Sequence, residues 1–182
     1  VLFIDTIRRE SPSDCYGTDW KTEGCNPCGE IMLNPYSSCI LQCLNLYSYV
    51  NDKFTENAHF NFELFKYHVN IAQRLIDDIV DLEIEKIDQI LEKVKSDPES
   101  EDTKIREINL WNKIREKIVE GRRTGLGITA EGDMLAALNL RYGSEEAIEF
   151  SEEVHRVLAV ESYKSSINLA KERGCFPIWN LQ

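Results

Sequence analysis

No stretch of this 182-residue chain stays apolar over the ~18 positions that a membrane-spanning helix needs. Basic residues are also in short supply: 21 Lys and Arg stand against 32 Asp and Glu, a formal net charge of -11. That balance argues against a nucleic-acid binder, because phosphate contacts need clustered cations. It leaves room for a nucleotide held in a local pocket of donors. No secretory signal is legible, since the apolar opening Val1-Leu2-Phe3-Ile4 is short and acid and base follow at once. A cytoplasmic setting is therefore expected. An initiator Met is missing and the chain opens inside an apolar run, so it reads as a segment of a longer protein. The histidines, His59, His68 and His155, are scattered without ligand spacing.

What is present suffices for a packed core: 42% of residues are hydrophobic and 29% charged. Cysteine is plentiful, and Cys15, Cys25, Cys28, Cys39 and Cys43 precede the single later Cys175. Without a secretory signal, metal, redox or catalytic use is expected rather than a disulfide scaffold. Val1 to Asp5 reads as a buried strand. Residues 6 to 27 are polar and rich in turn formers, and read as a long functional loop that holds Cys15 and Trp20. Cys39 to Val50 is β-prone and almost continuously apolar, which suits a strand buried on both faces.

The remainder reads as helical. From about Phe60 to Lys95 apolar residues recur at helical spacing, among them Ile76, Val80, Ile84, Ile87 and Leu91. Unbroken, that helix would run roughly 50 Å at 1.5 Å per residue. A second helix is expected from about Thr103 to Glu120 with Gly121 as its stop, and a third from about Glu131 to Asn139. A fourth is capped at Ser144 and ends at Gly174. Leu126-Gly127-Ile128 suits a short strand. Two or three strands among helices are part of an α/β architecture and too few for a stable parallel sheet.

The chemistry concentrates in Asn26-Pro27-Cys28-Gly29-Glu30. Asn-Pro and Cys-Gly form turns, which puts Cys28 near a loop tip. In an extended segment positions 26, 28 and 30 share a face, so an amide, a thiol and a carboxylate would converge. Such a set can bind a polar substrate, supply a base and supply a sulfur reactant. The following excursion returns the chain to Cys39, a second thiol within reach of the same substrate.

NPCGEIMLNPYSSCILQCLNLYSYV resembles the finger-loop region of ribonucleotide reductase large subunits, and most of all their adenosylcobalamin-dependent class. AQRLIDDIVDLEIEKIDQIL, EINLWNKIREKIVEGRRTGLGITAEGDMLAAL and SYKSSINLAKERGCFP follow in family order, so the resemblance covers nearly the whole chain. It implies a fragment of a ten-stranded α/β barrel with a central loop. Residues 1–182 would form one segment of the catalytic barrel domain: strand, finger loop and strand over 1–50, mainly barrel helices over 60–182.

The resemblance also implies the roles. Cys28 would become a thiyl radical, Glu30 would take the 3′-hydroxyl proton, and Asn26 would hydrogen-bond the ribose. Cys39 would be one of two reducing thiols, its partner lying outside these residues. Adenosylcobalamin would supply the radical in the complete enzyme, with none bound by this fragment. The implied partners are a ribonucleotide, the rest of the reductase chain and a thioredoxin-like or other dithiol reductant. The fragment alone is expected to be inactive.

Some features depart from the family pattern or admit another reading. Cys25 makes an additional Cys-x-x-Cys with Cys28, and Cys43 has no assigned role. The pairs Cys25/Cys28 and Cys39/Cys43 also suit a zinc site, giving as alternative a zinc-stabilised helical binding module without catalysis. Against it, Cys39 and Cys43 lie in an apolar run, and no metal is expected. Gly125-Leu126-Gly127-Ile128-Thr129-Ala130 fits a dinucleotide pattern but follows a charged helix end, so it reads as close packing at a strand-to-helix turn. Arg122 and Arg123 suit a helix C-terminus, or in the whole enzyme a phosphate or an allosteric nucleotide. The acids from Asp77 to Asp88 read as a solvated face, and Trp20, Trp111 and Trp179 as packing residues.

Overall fold

The structure is a computed structural model that describes residues 2–11, 16–17, 20–26 and 29–181. Cys15 and Cys28 lie outside the described residues, as does much of the turn-rich stretch 12–19. The chain is mostly helical, and its strands form separate two-stranded sheets. The described residues contain no closed barrel. Among them, no helix is long and apolar enough to cross a membrane.

The chain folds as two compact units. The first comprises Val1–Ile40, Ile79–Arg123 and Cys175–Gln182. It begins with helix α1, Ile4–Glu10, where a buried strand was expected. Leu2 and Phe3 are exposed and α1 buries no residue. A strand needs a neighbour to take up its backbone groups; a helix satisfies them within itself. Asp5 in the first turn and Arg8 and Arg9 in the last also complement the helix dipole. Strands β1, Gly24–Asn26, and β2, Ile31–Leu33, then form an antiparallel hairpin.

Helix α2, Phe62–Ser96, runs unbroken and supplies residues to both units. In the first unit Val80, Ile87 and Leu91 form its buried stripe. They pack with Ile118 of helix α3, Glu101–Gly121, while Ile108, Trp111 and Ile114 flank the cluster. The Ser100 hydroxyl caps α3 by accepting from the Thr103 N–H. A 3-10 turn over Pro177–Leu181 packs against α3. Trp179 within it is 52% exposed and contacts the Phe176 ring edge-on, so it is no core residue.

The second unit comprises Leu41–Asp78 and Thr124–Gly174. Strand β3, Ile40–Asn45, alternates between half-buried and exposed positions and pairs with β6, Thr124–Thr129. The strand expected over Cys39 to Val50 is therefore shorter and covered on one face only. It ends because the Asn45 side chain accepts from the Tyr47 N–H at 3.1 Å, turning the chain into a 3-10 helix, Leu46–Tyr49. Strands β4, Val50–Asn51, and β5, His59–Phe60, form the remaining pair. Leu46, Tyr49, Phe60, Phe65 and Val69 share one core with Met134 of helix α4, Glu131–Ala137, and Val154 of helix α5, Glu145–Arg173. Arg173, in the last turn of α5, pairs with Asp77 and Asp78 of α2.

Candidate active site

The β1–β2 hairpin carries two of the expected site residues. Gly24 pairs with Leu33, Cys25 with Met32 and Asn26 with Ile31. Asn26 is the last residue of β1, and Glu30 lies in the turn just before β2. Both are exposed. Because Asn26 pairs with Ile31, Asn26 and Glu30 do not lie along one extended strand. Asn26 and Glu30 instead stand on the two sides of one hairpin end. Gly29, at φ 97°, takes a backbone conformation that side chains disfavour. Cys28 lies outside the described residues.

The stem of this hairpin is firmly held. The Glu23 N–H donates to the Leu33 carbonyl at 3.0 Å. Thr22 is fully buried, and its carbonyl accepts from Arg8 Nε at 2.7 Å. Beyond β2, Asn34 is buried and its Oδ1 accepts the Ser37 hydroxyl at 2.6 Å. That side-chain bond closes the turn that leads toward Cys39.

Cys39 is half-buried just before β3, with its Sγ 3.9 Å from the Ile40 carbonyl. Burial pushes its thiol up to about 11; the Arg123 charge opposes that rise and the Glu83 charge adds to it. At neutral pH it is accordingly a thiol, a store of hydrogen rather than a ready nucleophile. Glu83 accepts the Ser38 hydroxyl at 3.2 Å.

The sequence singles out Arg123 only as one half of a pair suited to a helix end or to a phosphate. Its Nη1 donates to the Met32 carbonyl at 2.6 Å, and its own carbonyl accepts the Ile40 N–H at 3.1 Å. Its guanidinium lies 5.5 Å from the centre of the Trp20 ring, which Lys117 also approaches at 4.9 Å. Only the adjacency of Arg122-Arg123 to a helix stop hinted at this. Arg122 caps α3 in the left-handed conformation, as placement at a helix C-terminus led one to expect, and its Nη1 reaches Asp81 at 2.6 Å.

The acids of α2 are not simply a solvated face. Asp77, Asp78, Asp81 and Asp88 each pair with an arginine. Among the described residues no group of three or more His, Cys, Asp or Glu side chains could hold a metal ion. Of the cysteines in the alternative zinc reading, Cys25 is half-buried in β1 and Cys43 is exposed on β3. The glycine-rich stretch does form a strand-to-helix turn: β6 passes through Ala130, at φ 60°, directly into α4.

The family model for the ribonucleotide reductase barrel domain matches residues 1–182. The vitamin B12-dependent ribonucleoside-diphosphate reductase of Thermoplasma acidophilum is 33% identical over 179 residues, which is 98% of this chain and 19% of that protein. The protein of the same description from Mycobacterium tuberculosis is 28% identical over 177 residues, 97% of this chain and 21% of its own length. The ribonucleoside-diphosphate reductase subunit alpha of Chlamydia pneumoniae is 33% identical over 156 residues, covering 83% of this chain and 12% of that subunit. The chain thus spans about a fifth of the length of the first two relatives. With its match running from end to end, the chain belongs to the ribonucleotide reductase barrel-domain family.

Proposed function

We propose that these residues form the finger-loop and helical portion of a reductase catalytic subunit that converts ribonucleoside diphosphates to deoxyribonucleotides. The observation that carries the reading is the family match over residues 1–182, with Asn26 and Glu30 bracketing Cys28 in sequence at the two sides of one hairpin. The vitamin B12-dependent names of two relatives support a radical supplied by adenosylcobalamin. In the complete enzyme that group would supply the radical, and this chain's own residues would bind the ribose, move its proton and carry hydrogen to it.

In the proposed reaction the Cys28 sulfur radical removes the ribose 3′ hydrogen atom. Glu30 takes the 3′-hydroxyl proton, and the Asn26 amide hydrogen-bonds the ribose. The 2′-hydroxyl leaves as water. Cys39 and a partner thiol outside these residues give up two hydrogens and become a disulfide, while Cys28 returns its hydrogen to the 3′ carbon. The balance is ribonucleotide plus dithiol to deoxyribonucleotide, disulfide and water. A protonated Cys39 at neutral pH suits that donor role. A thioredoxin-like or other dithiol reductant resets the pair by thiol–disulfide exchange. The 182 residues alone do not carry out this sequence, because the partner thiol lies elsewhere.

The test uses the reductase polypeptide that carries these residues. Conversion of ribonucleoside diphosphate is measured with a dithiol, with and without adenosylcobalamin, for native protein and Cys28→Ser. Cobalamin-dependent turnover that disappears in the variant is the expected result. Turnover retained by Cys28→Ser overturns the radical assignment. No turnover under any condition, with zinc bound stoichiometrically, replaces the reading with the binding module.

A further inference from the structure

We propose that Arg123 is a positioning residue that holds the Cys39 segment and the β1–β2 stem in one fixed register. The inference rests on the reading of Cys39 as a reducing thiol. It begins at the end of α3, where the left-handed Arg122 turns the chain and is anchored to Asp81 at 2.6 Å. That turn delivers Arg123 to two segments at once. Through its carbonyl it takes the N–H of Ile40, the residue after Cys39, at 3.1 Å. Through its guanidinium it donates at 2.6 Å to the carbonyl of Met32, which lies one register pair from Asn26–Ile31.

The same guanidinium is itself held in place. It lies 5.5 Å from the centre of the Trp20 ring, and that residue is only 4% exposed. A planar fork that stacks and donates together is an arginine property; a lysine keeps the charge but not the geometry. Two charged groups act on the Cys39 thiol, Arg123 in favour of the thiolate and Glu83 against it. Arg123 therefore joins the two elements mechanically and also biases the ionisation of the thiol between them.

The experiment compares Arg123→Lys and Arg123→Gln in the reductase polypeptide carrying these residues. One readout is the pH profile of Cys39 alkylation by iodoacetamide, followed peptide by peptide by mass spectrometry. The other is the split between kcat and KM for ribonucleotide conversion. In Arg123→Gln the alkylation profile moves to higher pH; each unit of movement lowers the thiolate fraction about tenfold below the pKa. Arg123→Lys keeps most of the native profile, yet its kcat falls with KM little changed, as expected of a residue that acts through the placement of Cys39 and not through a substrate contact.

A merely packing role gives the opposite sign. Removing the side chain would then open the segment, relieve the burial of Cys39 and move alkylation to lower pH. Either that result or an unmoved profile in Arg123→Gln overturns the proposal. Should Arg123→Gln not fold, Arg123→Lys decides the matter: a kept profile with lower kcat supports the inference, and a profile moved to lower pH sinks it. Alkylation needs no turnover, so it is read independently of the Cys28→Ser test, whose failure would instead remove the reductase reading.

Discussion

At the scale of single residues, Gly121 shows why a position can be glycine for a reason invisible in its neighbours. As the last residue of α3 it reads as a helix stop, yet α3 includes it and the left-handed cap is Arg122. The cause lies far away in sequence. A Cβ on Gly121 would collide with Trp20 Cη2 and lie 2.8 Å from its Cζ3. The indole cannot retreat cheaply, being buried and flanked by Lys117, Arg123 and the edge of Tyr16. In an open helix Gly→Ala stabilises by up to about 1 kcal/mol; forcing a methyl into a filled site costs about 1–3 kcal/mol. Gly121→Ala is therefore expected to destabilise on balance, seen as a lower midpoint of urea unfolding. A raised midpoint would show that the Trp20 ring slides aside.

At the scale of elements, Ser144→Ala isolates one cap. The Ser144 hydroxyl accepts from the Ala147 N–H at 3.3 Å and opens α5. Loss of such a cap costs about 1 kcal/mol, measured by denaturant unfolding at neutral pH. The Glu146 backbone N–H and the Ser144 hydroxyl hold the Glu146 carboxyl below the usual glutamate range. Glu146 therefore adds stability above the ordinary glutamate pKa and loses it as pH falls through its lowered value. The portion of the Ser144→Ala loss that runs through Glu146 should vanish in acid; a loss unchanged at low pH would assign all of it to the Ala147 bond.

Such caps are why the helices were legible. Ser144 sits where the sequence announces a start, whereas Ser100 opens α3 at Glu101, ahead of the start expected at about Thr103; the stripe Val80, Ile84, Ile87, Leu91 gives α2 its period and length. The short strands were not legible to the same degree. A three-residue strand such as β1 exists because Cys25 faces Met32 across the hairpin, and that pairing is a property of two segments. The same holds at the candidate site. Asn26, Glu30 and Cys39 could be picked from spacing and resemblance, but Arg123 is tied to their segments by a main-chain bond to Ile40 and a side-chain bond to Met32. The two positions lie about 80 and 90 residues from Arg123 in the chain, beyond the reach of any local pattern.

At the scale of the whole molecule, burial is unequally shared, and protection should follow it. The core around the Leu46–Tyr49 turn brings together Leu46, Phe65, Val69, Met134 and Val154, each fully buried. The rings of Tyr49, Phe60 and Phe65 meet within it at centroid distances of 5.0 to 5.8 Å. The cluster that α3 joins has a smaller buried set, and Ile118 is the buried residue that α3 itself contributes. Most of α3 thus faces water or lies half-covered, with its backbone bonds open to solvent-assisted breaking. Native-state hydrogen exchange should find the slowest amides in residues 65–76 of α2 and 147–157 of α5, with those of 103–114 in α3 exchanging faster. Phe65→Ala, which empties the centre of the larger core at a cost of about 3–5 kcal/mol, should collapse that difference by accelerating the slow set. If the α3 amides proved as slow as those around Phe65, or survived that substitution as the best-protected set from the outset, burial would not be what ranks local stability in this chain.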